Sequence, residues 1–237
     1  SSGGPQMRAL RRATSVALVA HAAAGLAMLS ILRRGLASET DLRARLTFLV
    51  EHRAQWTAAW ATWSISALTI LWVSVHFSRW LVSRGAWSRT AGRCLPLAVA
   101  LAVITDLTGH GLLVFELPDL ARPLLASIDA GQELSGASMF GAADELAVLL
   151  SGVVANSLYT AASLLLAWHA RRHFPRWFNA AAGLLGLAGA ASTAPALVRS
   201  VEGMVWSNAV LVAAILAWLV GVCWCAGRAS PGEPDPF

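Results

Sequence analysis

Six stretches of the chain, roughly 13–32, 56–78, 94–116, 145–169, 178–198 and 205–226, are each apolar for about 20 residues or more, the length that crosses a bilayer's hydrocarbon core. A backbone in lipid has no water to bond to, so runs of this kind can only be helices or strands of a closed barrel, and uninterrupted runs this long are helices. The predicted fold class is therefore all-α: a polytopic bundle of six transmembrane helices. With 57% hydrophobic and 13% charged residues in 237, the composition is that of a membrane protein and leaves no length for a separate soluble domain. Ser1 to Gln6 precede Met7 and read as an expression scar. Residues 7–227 read as one six-span domain, and 228–237, rich in Pro and acid, as a disordered tail. Arg8, Arg11 and Arg12 lead into the first apolar run with no clear cleavage site after it, so that run reads as a retained span and not a signal peptide.

All 18 basic residues are arginine and lysine is absent. That excludes retinal-type Schiff-base sites and lysine nucleophiles. The net charge of +5 lies in loops flanking apolar spans, which points to lipid headgroups as partners and away from nucleic acid. Counting arginines on alternate sides gives 11 on the side of the two termini and seven on the other, so both termini are expected in the cytoplasm. Trp80, Trp87, Trp168, Trp177 and Trp224 would form the belt on that side, Trp56 and Trp206 the opposite one. The Arg-for-Lys bias points to a high-GC bacterium, and hence to a bacterial inner membrane.

Between the first two spans, Leu42, Leu46, Leu49 and Val50 recur at helical spacing and predict an amphipathic helix at the interface. Leu117 to Ala143 contains Pro118, Pro123 and several glycines and is expected to be a long loop with a short helix near 120–128. One short repetition, His76-Phe77-Ser78-Arg79-Trp80 and His173-Phe174-Pro175-Arg176-Trp177, falls at two same-side membrane edges but does not extend into a transporter-type repeat. Cys94, Cys223 and Cys225 are not placed to form disulfides.

The candidate chemistry centres on Asp106 and His110, four residues apart and so on one helix face. Ionisable groups at that depth face a cavity or a partner. In the next span Glu145, Gly152, Asn156 and Tyr159 count onto one stripe at 100° per residue. If the two spans are neighbours, Asp106 and His110 meet Asn156 and Glu145: a carboxylate orients an imidazole, the imidazole moves a proton, and Glu145 serves as second acid. Asn156, Tyr159 and Glu116 are candidate substrate contacts, with Trp60 and Trp63 as an aromatic wall for an apolar ligand. The competing explanation is an interhelical hydrogen-bond network that only holds helices together.

His76, His169 and His173 form a second set near the terminus-side edge, and three imidazoles can hold a catalytic zinc. The pattern resembles, over about five residues, seven-span zinc hydrolases of the alkaline ceramidase and adiponectin receptor class, which set a His against an H-x-x-x-H with an Asp on a third span. The chain departs from it in having six spans, in placing the H-x-x-x-H before the final span, and in the arginines between its histidines, so no metal is assigned. His21 reads as an interhelical donor, and Gly183, Gly186, Gly189 and Ala190 as a close-packing face. No nucleotide, haem or G-x-S-x-G motif is present, and no cofactor is indicated. The sequence thus points to a small membrane enzyme acting on a lipid or isoprenoid-like substrate. A proton-coupled transporter and a non-catalytic membrane partner or sensor remain as alternatives. A cavity at Asp106 separates the last from the other two.

Overall fold

A computed structural model of the chain describes residues 4–36, 41–132, 136–171, 173–198 and 200–228; residues 1–3 of the expected scar and 229–237 of the expected tail lie outside them. Among the described residues there are helices and no strands. Six helices are long and apolar enough to cross a membrane: α1 (Pro5–Gly35), α3 (Arg53–Ser83), α4 (Arg89–Asp129), α5 (Ala137–His169), α6 (Arg176–Leu197) and α7 (Val201–Arg228). A short helix, α2 (Leu42–Glu51), joins the first two. Val19, Ile104, Leu187 and Val210, each mid-helix, are 60–72% exposed. Such a belt suits lipid and no aqueous surface, and the molecule is a multi-pass membrane protein.

The long helices form a closed ring in chain order: α1 on α3, α3 on α4, α4 on α5, α5 on α6, α6 on α7, and α7 back on α1. Short connections impose this, because they leave each helix antiparallel to the next. The turn after α3 places Gly85 at φ 71°, and Ser88 caps α4 by accepting from Ala91 N–H. Two packed cores close the ends of the ring. At the terminus side, Phe77 meets Phe174, Phe178 and Trp218 at ring distances of 5.9–6.2 Å, so the two copies of the repeated H-F-x-R-W pattern join through their phenylalanines. At the far side, Leu32, Trp56 and Trp60 pack with Leu46, Leu49, Leu117 and Leu124.

Two sequence expectations change here. Leu117 to Ala143 is not a long loop. The third helix continues to Asp129 through a π-helical turn at Leu112–Glu116, and the fourth starts at Ala137. The Leu117 N–H bonds back five residues to Leu112, and Pro118 has no N–H for the next carbonyl, that of Leu113. The Trp56 indole N–H donates to it at 2.7 Å. A proline that reads as a breaker is thus accommodated by a side chain from another helix. The second change concerns α2, which is helical as expected but turns Leu46 and Leu49 into the far-side core, against Leu117, Ala121 and Leu124, with Leu42 exposed. Its apolar stripe is covered by the extension of α4.

Candidate functional site

Because no helix fills the centre of the ring, a cavity of about 170 Å³ runs between the two cores, lined by all six long helices. Its wall on α4 extends from Leu95 to Leu113, about 27 Å at 1.5 Å per residue. The cavity is therefore long and narrow, and most of its wall is apolar. α5 is the least buried of the six, with 11% of its apolar stretch buried against 33–39% for the others.

Asp106 and His110 sit on the wall, 6% and 2% exposed. His110 Nε2 lies 3.1 Å from Asp106 Oδ1, off the direction of an aligned hydrogen bond. Its Nδ1 lies 3.0 Å from Ser64 Oγ. Most serines and threonines in these helices donate to a carbonyl three or four residues back, as Ser66, Thr69 and Ser151 do; Ser64 engages the imidazole instead. When the hydroxyl donates to Nδ1, the ring proton is on Nε2, beside the carboxylate. The Trp60 ring lies 4.7 Å from the His110 ring and packs edge-on to Trp56, which fixes the imidazole from a second direction.

Across the cavity, α5 presents Gly152, Asn156 and Tyr159. The Tyr159 hydroxyl interacts with Asp106 without reaching an aligned hydrogen bond. Side chains on a helix lean toward its N-terminus, which carries this ring toward the level of the acid. Asn156 donates to Gly152 O at 3.0 Å. α4 and α5 meet closely at Gly109, where a Cβ would stand 2.9 Å from Ala147 O and 3.1 Å from Ser151 N.

The structure thus brings together Asp106, His110, Asn156, Tyr159, Trp60 and Trp63 around one cavity. It does not bring Glu145 or Glu116, which are exposed and outside the lining. Counting at 100° from Glu145 to Asn156 crosses a π-helical stretch, Leu149–Ala155, and each π-turn carries one extra residue, rotating Glu145 off the stripe. Its neighbour Asp144 turns inward to Arg45. Glu116 ends the π-turn of α4, where the same shift applies.

Sequence reading passes over several residues of the site. Ser64, which holds His110 without lining the cavity, escapes because its partner is on another helix. His21 lines the cavity, and its Nδ1 lies 2.8 Å from Ala17 O. A carbonyl only accepts, so Nδ1 carries the proton and Nε2 is an acceptor. Thr160, Asn208 and Trp218 also line the cavity, with four serines. The terminus-side histidines are dispersed: His76 packs on Trp72 and His169 on Trp87, and among the described residues no three His, Cys, Asp or Glu side chains gather as metal ligands. Of the expected small-residue face, Gly186 and Gly189 receive Leu164 and Thr160 of α5, whereas Gly183 meets nothing within 4 Å.

Compared with known proteins, the chain matches no family model, no curated protein and no solved structure. Fold and site alone define the class: a six-helix membrane protein built as a closed ring around a mostly apolar cavity that carries a few polar side chains.

Proposed function

We infer that the protein is a small integral-membrane enzyme that acts on a lipid or isoprenoid-like substrate by acid/base chemistry in the central cavity. One observation carries this reading: a buried Asp106–His110 pair, braced by Ser64 and faced by Tyr159, opens on a long apolar cavity within the membrane span. An apolar chain fills the length, and the reacting group meets the imidazole and carboxylate. His110 moves the proton, Asp106 orients it and balances its charge, Asn156 and Tyr159 position the substrate, and Trp60 and Trp63 wall the apolar part. The setting is a bacterial inner membrane with both termini in the cytoplasm, and the partners are membrane lipids.

The test is turnover in proteoliposomes made from a bacterial lipid extract supplemented with isoprenoid lipids, with products read by mass spectrometry. Asp106→Asn and His110→Gln should each cut product formation by about 10²- to 10⁴-fold while the thermal unfolding midpoint changes little. Undiminished turnover in Asp106→Asn would remove the reading.

The row Ser64, His110, Asp106, Tyr159, which crosses from α3 through α4 to α5, also favours a second reading, a proton-coupled transporter with these groups as relay. Uptake driven by an imposed pH gradient, with no chemical change in the solute, selects it over the enzyme. A non-catalytic partner or sensor has less support, since a cavity stands where helix packing alone would leave none.

A further inference from the structure

The wall's chemistry narrows the ligand of this same cavity, and the inference rests on the pocket reading above. The described lining residues include no arginine, and the chain has no lysine. Asp106 is the one carboxylate on the wall, and the histidines His21 and His110 are its only other ionisable groups apart from Tyr159. A phosphate or carboxylate head would be stripped of water beside Asp106 with no strong cation to meet it, which costs far more than a hydrogen bond returns. An amine would have to compete with His110, already 3.1 Å from the acid.

The hydrogen-bond inventory points another way. Trp60 Nε1, the Thr160 hydroxyl and Trp218 Nε1 are buried, lie on lining residues and have no hydrogen-bond partner, while His110 Nε2 and the Tyr159 hydroxyl face Asp106 without an aligned hydrogen bond to it. Indole N–H groups only donate, so Trp60 and Trp218 each hold a donor that calls for an acceptor from the ligand. Trp60, His110 and Tyr159 surround the Asp106 end. Trp218 packs on Phe77, 17 residues beyond Trp60 on α3, about 25 Å along the axis. The space between is elongated and mostly apolar.

We propose that the cavity binds an uncharged, chain-like lipid whose head carries hydrogen-bond-accepting oxygen, of the ketone, ester or quinone type, with that oxygen at Trp60, His110 and Tyr159. Phosphorylated and amine-bearing lipids are excluded from this position.

Four probes share one tail and differ only in the head: farnesylacetone, farnesol, farnesyl diphosphate and farnesylamine. Each is titrated onto the purified full chain in neutral detergent, with binding read by native mass spectrometry. The ketone and the alcohol should bind about tenfold or more tighter than the diphosphate and the amine. Trp60→Phe, which keeps the ring, should weaken the ketone about five- to tenfold, the loss of one hydrogen bond; Tyr159→Phe should act similarly. Tightest binding by the diphosphate or the amine, or equal binding of all four, overturns the head-group assignment and leaves the pocket reading standing. An unchanged ketone affinity in both variants overturns the placement at these donors. Failure of all four probes to bind saturably overturns the pocket reading together with this one.

Discussion

Gly109 and Gly111 are indistinguishable in the sequence, two residues apart in one apolar helix, yet they occupy opposite environments. A Cβ on Gly109 would press on the backbone of α5 at Ala147 and Ser151, whereas one on Gly111 meets nothing within 4 Å. Backbone cannot rotate aside as a side chain can, so Gly109→Ala should force α4 from α5 and destabilise by about 1–3 kcal/mol. Gly111→Ala should be neutral or slightly stabilising, since alanine is the better helix former. Unfolding midpoints in detergent check the pair, and equal effects would show that the helices do not meet there. The same contrast explains which site residues were legible. Asp106 and His110 announced themselves because their relation is local, one turn apart and rare in an apolar run. Ser64, His21 and Trp218 did not, because what makes them part of the site is a contact or a cavity between helices.

Helix-level reading found all six spans, since twenty apolar residues leave a backbone little choice. It failed where periodicity is broken. Three π-helical stretches, Met28–Leu32, Leu112–Glu116 and Leu149–Ala155, interrupt α1, α4 and α5, and each contributes to the cavity wall, through Met28, Leu113, and Ser151 with Gly152. Counting through the last of them assigns Glu145 to the interior, when the inward acid is Asp144. That acid accepts both ends of the Arg45 guanidinium, at 2.6 and 3.1 Å, while Arg45 Nε donates to Gly35 O at 2.8 Å. The pair is nearly dry, with side chains 6% and 14% exposed, and it binds α2 to both α1 and α5. Removing one partner strands the other, so Arg45→Met should cost about 3–5 kcal/mol. Arg45→Met combined with Asp144→Leu should recover most of that loss, because two apolar groups need no partner. A double variant as unstable as the sum of the singles would show that the pair is not coupled.

At the scale of the whole molecule, the ring separates charge along its axis. Among the described residues, the end at which α1 starts holds ten arginines and no acid, and the far end holds six arginines and eight acids. Three of those six are engaged locally, Arg43 with Asp129, Arg45 with Asp144 and Arg53 with Asp119. Net positive charge is thus concentrated at the terminus side, which predicts a cytoplasmic location for that end. The exposed positions Thr90, in the first turn of α4 at that end, and Gln132, at the far end, report on it. In a chain whose three cysteines are replaced by alanine, a membrane-impermeant maleimide applied to spheroplasts should label Gln132→Cys and spare Thr90→Cys. Inverted vesicles should reverse the pattern. The outcome also bears on the site: Asp106 and His110 lie in the half of the ring nearer Gln132, so this orientation puts the acid/base pair closer to the outer leaflet. Labelling of Thr90→Cys in spheroplasts would invert both the topology and the leaflet nearer the pair.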